Sequence, residues 1–310
     1  MFELTNAHVI QILGADAEKV INNLCTNDVR KLAVGSCCEA FITNIRGWCV
    51  EHGFVLKLHN RILLVGQFGN PLALCSHIDR YIIREDAKIT DQSASKRVFW
   101  LSEREADQSA LHFHSSSFSP KNGSILSAQV MSLNVTAVSV QFLAASDVLV
   151  ITEESDRQSM IDALASAGVS AHPSEEFEQR RIASFWPQSG REVLEKSIPQ
   201  ELDRDPLAIS FTKGCYLGQE TIARLDAIGQ LQKKLCLVRI ESLETIDPGA
   251  AIMKGDQQVG QVTSASFDPT GRTVLALAYL RRGHFAPGLR LTCCGATAVV
   301  LTSPTVQSPK

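Results

Sequence analysis

Residues 213–220 read Lys-Gly-Cys-Tyr-Leu-Gly-Gln-Glu, and the setting of the one cysteine in that octapeptide organises the reading of the whole chain. Cys215 stands between Gly214 and Tyr216, with Lys213 two positions before it and Gly218 three after. Gln219 and Glu220 follow, then Thr-Ile-Ala-Arg224, a run of helix formers in which Leu217, Ile222 and Leu225 share one helical face. The pattern places Cys215 in a glycine-flanked turn just before, or in the first turn of, a helix. Unpaired N–H groups and the positive end of the helix dipole favour an anion there. Cys215 is therefore expected to be the most reactive of the nine thiols, with Lys213 as a nearby positive charge. Most intracellular cysteines only fill cores. Core filling does not need bracketing glycines, whereas Gly214 and Gly218 suggest close backbone approach or positive φ.

The rest of the composition narrows the class. With 310 residues, 45% hydrophobic and 20% charged, the chain is long enough for two or three ordinary globular domains. A net charge of −3 lacks the basic excess of a nucleic-acid platform, so no direct nucleic-acid binding is expected. The opening residues lack a basic segment followed by an apolar run, and no stretch is apolar for long enough to span a bilayer. A soluble, cytoplasmic protein is expected. The nine cysteines include the adjacent pairs Cys37-Cys38 and Cys293-Cys294. Neighbours in a strand point to opposite faces and chelate one ion poorly. No Cys-x-x-Cys or ferredoxin-like spacing occurs, and so many unpaired thiols fit a reducing compartment. No metal centre is expected, at His112 and His114 included.

Hydrophobic patterning predicts an α+β body. A short helix over 15–24 is followed by strand-like runs at Phe41–Thr43, Trp48–Val50, Phe54–Leu58 and Ile62–Val65, with turns at Asn44–Gly47, Gly53 and Asn60. Helical spacing returns over 70–84, 156–167 and 174–184, and Val148–Thr152 reads as a strand. The polar, serine-rich stretch 102–127 reads as a loop. From Leu235 six short strands, with turns at Pro248-Gly249, Pro269-Thr-Gly271 and Pro287-Gly288, predict a small β-barrel. The domains expected are 1–232 and 233–310.

The octapeptide resembles the Lys-Gly-Cys-Tyr-x-Gly-Gln-Glu signature of the YgfZ-type folate-binding proteins, relatives of the T-protein (aminomethyltransferase) of the glycine cleavage system. Ile198-Pro199-Gln200, Ile209-Ser210-Phe211, Ala223-Arg224 and Gly229 extend the likeness. Near the start, Gly14–Ala17, Thr26-Asn27-Asp28-Val29 and Gly35 are similar to the family's opening. The resemblance implies a T-protein-like folate-binding body with a C-terminal barrel, and tetrahydrofolate as the bound ligand. It also implies an accessory role in iron–sulfur cluster assembly or repair, with iron–sulfur proteins or assembly factors as partners and a link to tRNA modification. The motif cysteine, Cys215, is the residue tied to function.

Site roles follow from the same likeness. Asn44 and Arg46 fall in the loop that faces the folate pocket of T-proteins, and Glu51-His52 stand near the place of their acidic pair. Ala183 stands where a T-protein glutamate binds the pterin ring, and a carboxylate suits an aminopyrimidinone edge as it suits guanidinium. Trp186 is a candidate to stack on that ring, with core packing as the plain alternative. Gln200 belongs to the extended motif, while Arg224 and Lys213 are candidates for the folate tail or the thiolate. Gln219 and Glu220 equally fit a capping role. The lost glutamate and altered acidic pair argue against glycine cleavage. A folate-dependent aminomethyltransferase remains the enzyme alternative, and a binding module without chemistry the third.

Overall fold

The computed structural model describes residues 1–109, 112–113, 123–130, 133–144, 146–268 and 270–304; His114 and the serine run Ser115–Ser117 lie outside them. Two antiparallel sheets build the body. The first runs in the order β3 (Ser36–Thr43), β4 (Cys49–Leu58), β5 (Arg61–Gln67), β2 (Ala7–Leu13) and β6 (Lys88–Asp91). The second runs β1 (Phe2–Glu3), β7 (Lys96–Leu101), β11 (Asp147–Glu153), β10 (Leu133–Val140), β9 (Ile125–Val130) and β8 (His112–Phe113).

Strand alternation explains how the layers close. On β5, Leu63 and Val65 face the second sheet, while Ile62 and Leu64 pack under α1 (Ala17–Leu24) and α2 (Pro71–Asp79). On β7, Val98 and Trp100 enter the core between the sheets, while Phe99 and Leu101 pack with Met160 and Leu164. The last two lie on α4 (Arg157–Ser166). The result is helix, sheet, sheet, helix around successive cores.

The third unit is a closed barrel in the order β12 (Lys233–Ile240), β15 (Val274–Arg281), β14 (Gln257–Phe267), β13 (Ala251–Lys254), β16 (Arg290–Cys293) and β17 (Ala296–Val300). It joins the body through an apolar cluster that includes Ile182, Phe185, Leu202, Leu235 and Leu277. Arg181, fully buried on α5 (Ser174–Ala183), adds a polar tie by donating to Ser264 Oγ at 2.7 Å. The α+β class and terminal six-stranded barrel are as expected.

Three local expectations fail for identifiable reasons. Gly53 is no turn but an interior position of β4, where a Cβ would sit 2.3 Å from the Val65 carbonyl oxygen. Close strand approach, not chain reversal, selects that glycine. The stretch from Ser102 holds α3 (Glu103–Gln108), started by a capping box in which Ser102 and Glu105 bond reciprocally. Ser-x-x-Glu is a legible start signal that the serine-rich composition concealed. The helix expected to reach residue 84 stops at Asp79. Among the described residues, no helix is long and apolar enough to cross a membrane.

Candidate functional site

The octapeptide is fixed mainly through its backbone. Lys213, although charged, is buried, and its ammonium donates to the carbonyls of Asn22 (2.7 Å), Cys25 (2.8 Å) and Asn27 (2.7 Å). Burial draws its pKa below lysine's usual value. The Leu217 N–H donates to the Asn23 carbonyl at 2.8 Å, and Thr43 Oγ1 donates to the Leu217 carbonyl at 2.7 Å. Thr26 Oγ1 donates to the Ala208 carbonyl at 2.6 Å, at the end of α6 (Asp205–Ala208). Thus Thr26-Asn27 and the octapeptide, far apart in sequence, form one scaffold.

Gly218 explains its own identity. Its φ is 79°, and a Cβ there would lie 2.4 Å from the Asn44 carbonyl oxygen and 2.5 Å from Gly47 Cα. The Asn44–Gly47 turn is thereby pressed against the start of α7 (Gln219–Ile228), whose N-cap is Gly218. Asn44 Oδ1 accepts from the N–H groups of Arg46 (2.9 Å) and Trp48 (3.1 Å), so its side chain builds the turn. Gly214 is different: its φ is not positive, and nothing lies within 4 Å of a Cβ placed on it.

Cys215 is exposed and lines a groove of about 390 Å³ with Lys19, Asn23, Tyr81, Glu85 and Tyr216. Two supports expected for it are redirected. Lys213 faces Cys25, whose Sγ is 3.9 Å from the ammonium, rather than Cys215. Cys215 also precedes the capping Gly218, outside the first turn where the helix dipole acts. What sets the thiol apart is exposure: Cys25, Cys37, Cys49, Cys236 and Cys293 are buried, and burial raises Cys37 and Cys236 to about 12. Cys294, on the barrel, is exposed as well. Tyr216 is buried under the Lys213 ammonium, 4.9 Å from its ring centre, and Gln219 Oε1 accepts from the Tyr216 N–H. Glu220 and Arg224 are exposed on α7.

The second region lies between the sheets and carries residues that sequence reading missed. Glu39, on β3, holds Arg204 through paired bonds, one of them 2.6 Å, and His52 Nε2 lies 2.8 Å from Glu39 Oε1. Burial alone would raise Glu39, but the Arg204 guanidinium and His52 outweigh it and bring its pKa down to about 2. A carboxylate inside the apolar run Cys37–Thr43 was the available signal. Trp186 is enclosed by His52 (4.5 Å between ring centres), Phe54 (5.2 Å), Phe142 (4.6 Å) and the Arg204 guanidinium (4.7 Å). Its ring is occupied by protein partners, so the core reading replaces ligand stacking.

The other expected folate contacts also have internal employment. Glu51 is buried on β4, accepts from Ser189 Oγ (3.0 Å) and the His52 N–H (2.9 Å), and pairs with His8 at 3.2 Å. Gln200 Nε2 donates to the Ile222 carbonyl at 2.7 Å and so tethers α7. Arg46 stacks over Trp48 at 4.9 Å on the surface. Ala183 is exposed on the wall of a crevice of about 390 Å³, shared with Trp100, Phe142, Asp147, Arg180 and Arg204. This crevice and the Cys215 groove share no lining residue, so the thiol is not at the rim of the cavity beside Ala183.

This two-sheet body with a closing barrel defines the class. The chain belongs to the glycine cleavage T-protein family: residues 1–202 match the GCVT N-terminal domain, and residues 233–298 match the glycine cleavage T-protein C-terminal barrel domain. It is similar to an aminomethyltransferase of Symbiobacterium thermophilum, 25% identical over all of this chain and 86% of that protein. It is also similar to an iron–sulfur cluster assembly factor IBA57 homologue of Aspergillus oryzae, 23% identical over 88% of this chain and 61% of that protein. Among solved structures, the glycine cleavage aminomethyltransferase T of Bartonella henselae superposes with a TM-score of 0.82 at 13% identity, covering 99% of this chain and 86% of that one. That likeness speaks to fold alone.

Proposed function

We propose that the chain is a folate-binding accessory protein for iron–sulfur cluster assembly or repair, of the YgfZ-like branch of its family. The observation that carries this reading is Cys215, an exposed thiol on a groove, whose flanking Lys213 and Gly218 are consumed in fixing the backbone around it. Space filling would need no such scaffold. Similarity to an iron–sulfur cluster assembly factor over most of the chain supports the same direction. An iron–sulfur client or assembly factor meets the thiol from solvent, with Glu220 and Arg224 exposed on the helix that follows. We take residues 1–232 and 233–310 as the two working domains.

Tetrahydrofolate is the ligand assigned to the crevice beside Ala183. Its volume suits a small molecule, and Arg180 and Asp147 are charged groups on its wall. A bound reduced folate supplies a one-carbon carrier; the chain's part is to hold and orient its ring. A folate-dependent aminomethyltransferase is the second reading, favoured by full-length similarity to a protein of that name. Against it stand the missing carboxylate at Ala183 and the internal commitment of Glu51. Reduced-folate titration, a methylene-transfer assay with an aminomethyl carrier protein, and complementation of a deletion strain separate the two. Folate binding and complementation without transfer are expected. Robust transfer would overturn the accessory reading.

A further inference from the structure

We infer a second small-molecule site, built by Gln188 and Gln67, for a flat, uncharged ring with a cyclic imide edge, an N–H between two carbonyls. That edge is shared by uracil-type bases and by the isoalloxazine ring of flavins. The site goes beyond the folate reading and does not rest on it, because its crevice and the one beside Ala183 share no lining residue.

The crevice measures about 480 Å³, larger than either of the two described above and of a size that small ligands occupy. Gln188 lines it and is only 8% exposed. Its main chain is engaged: the N–H donates to Glu192 Oε2 at 2.9 Å, and the carbonyl accepts from the Glu192 N–H at 3.0 Å. Its carboxamide bonds to none of the described residues, yet neither its oxygen nor its nitrogen is sealed within the protein. Gln67, the last residue of β5, lines the same crevice and is half-buried. Its amide oxygen is enclosed; its amide nitrogen is not, and it donates to no described group. Side-chain polar groups held this far inside a protein nearly always have partners, so two idle amides in one wall point to a ligand that completes them. Phe68 follows Gln67 at φ 63°, its N–H bonded to the Asn6 carbonyl at 2.9 Å. A bulky residue is rare in that left-handed region, and such strain gathers at ligand clamps.

The idle groups define the edge they would read. Two amide nitrogens donate and the Gln188 oxygen accepts. Their complement is two carbonyls and one N–H, which is an imide. The aminopyrimidinone edge of pterins and guanine offers two donors and one acceptor, and so mismatches. Phe2, Leu4, Phe68 and Phe177 give the crevice apolar walls for a flat ring. The charged side chains of the wall are already matched. His172 lies 2.7 Å from Glu105 and 2.9 Å from Glu176, Arg191 donates to Glu178 at 2.9 Å, and Glu3 holds Arg157 at 2.6 Å. No side-chain cation of the described wall is left for a phosphate, so the ring enters without one.

Calorimetric titration of the full chain with uridine, and separately with riboflavin, tests this. At least one should bind, and guanosine should not. Uridine alone identifies a pyrimidine site, riboflavin alone an isoalloxazine site, and either supports the inference. Uridine monophosphate should bind no tighter than uridine. Gln188→Met keeps the length of the side chain and removes its hydrogen bonds, so it should weaken binding about tenfold or more. Its unfolding midpoint should not fall, because the amide it replaces has no partner to lose. Gln67→Met should weaken binding by a smaller factor, and it carries the test if the first variant fails to fold. Saturating 5-formyltetrahydrofolate should leave the affinity unchanged. Wild type that binds neither probe at millimolar concentration overturns the site, as does binding that both variants retain in full. Guanosine binding as well as uridine overturns the imide edge, and displacement by the folate overturns the separation of the two crevices.

Discussion

The groove at Cys215 and the crevice at Ala183 hold charged residues in opposite ways. Around Cys215 the buried cation, Lys213, is neutralised by three main-chain carbonyls, and the reactive side chain is left facing solvent. Between the sheets, Glu39 and Arg204 neutralise each other, and Arg204 also lines the crevice beside Ala183. Main-chain anchoring suits a surface that must present one thiol to a large partner. Side-chain ion pairing suits a pocket whose walls must stay fixed while a small ring enters. The two regions share no lining residue, so they are separate places on the molecule.

The largest effect should come from the crevice. Glu39→Gln removes the charge that compensates Arg204 in a fully buried setting. Breaking one side of a buried pair costs about 3–5 kcal/mol. Urea unfolding should show a loss of that size. A loss under about 1 kcal/mol would mean that water reaches Arg204 and that the crevice is not the rigid partner in the comparison.

Lys213→Met tests the groove. Three carbonyls lose one charged donor, and bonds to charged groups contribute about 1.5–3 kcal/mol each before the lysine's own desolvation is subtracted. A net destabilisation of about 3 kcal/mol is expected. The ammonium faces Cys25, so the rate of Cys215 alkylation on the folded variant should change less than twofold. A large drop in labelling rate would show that Lys213 activates the thiol in solution after all.

Glu39 and Lys213 mark where the sequence was legible and where it was not. The octapeptide's spacing correctly announced a turn before a helix, and Gly218 correctly announced positive φ. Nothing in the spacing told which cysteine Lys213 would face, because Asn22 and Cys25 arrive from another element. The barrel was legible because each of its strands is bounded by local turn chemistry. Glu39 and Arg204 were not, because they lie far apart in sequence and only tertiary packing unites them. Trp186 and Glu51 were placed at a ligand because their residue types suit one. Packing against His52, Phe54 and Phe142, and bonding to Ser189, decided otherwise.

A pH experiment sharpens the crevice side. The Asp147 carboxyl lies at about 6 in the folded chain against 3.8 as its ordinary value, so the folded state holds the proton more tightly. The resulting stability is fully present below about 4 and is lost as pH rises through about 6. Linkage puts the change at roughly 2–3 kcal/mol. Asp147→Asn, which does not titrate, should gain that much on wild type between pH 4 and pH 7. Parallel stability curves would mean that Asp147 is solvated rather than buried.

The smallest effect on stability, and the largest in cells, is expected at Cys215. The thiol is exposed, makes no described hydrogen bond, and leaves its fold-bearing contacts to Lys213, Leu217 and Gly218. Cys215→Ser removes no buried atom, so its unfolding free energy should stay within about 0.5 kcal/mol of wild type. Because the crevice lies elsewhere, folate affinity should also be unchanged. A serine hydroxyl is almost never ionised at neutral pH, so the groove would keep its shape and lose its nucleophile. In a deletion strain the variant should then fail to restore a cluster-dependent enzyme. Iodoacetamide labelling with mass spectrometry supplies the matching control, with Cys215 and Cys294 as the exposed competitors among the cysteines. Cys215→Ser that complements as well as wild type would reduce the thiol to a surface residue. The proposed function would then rest on the crevice alone, and the contrast between the two regions would be one of structure only.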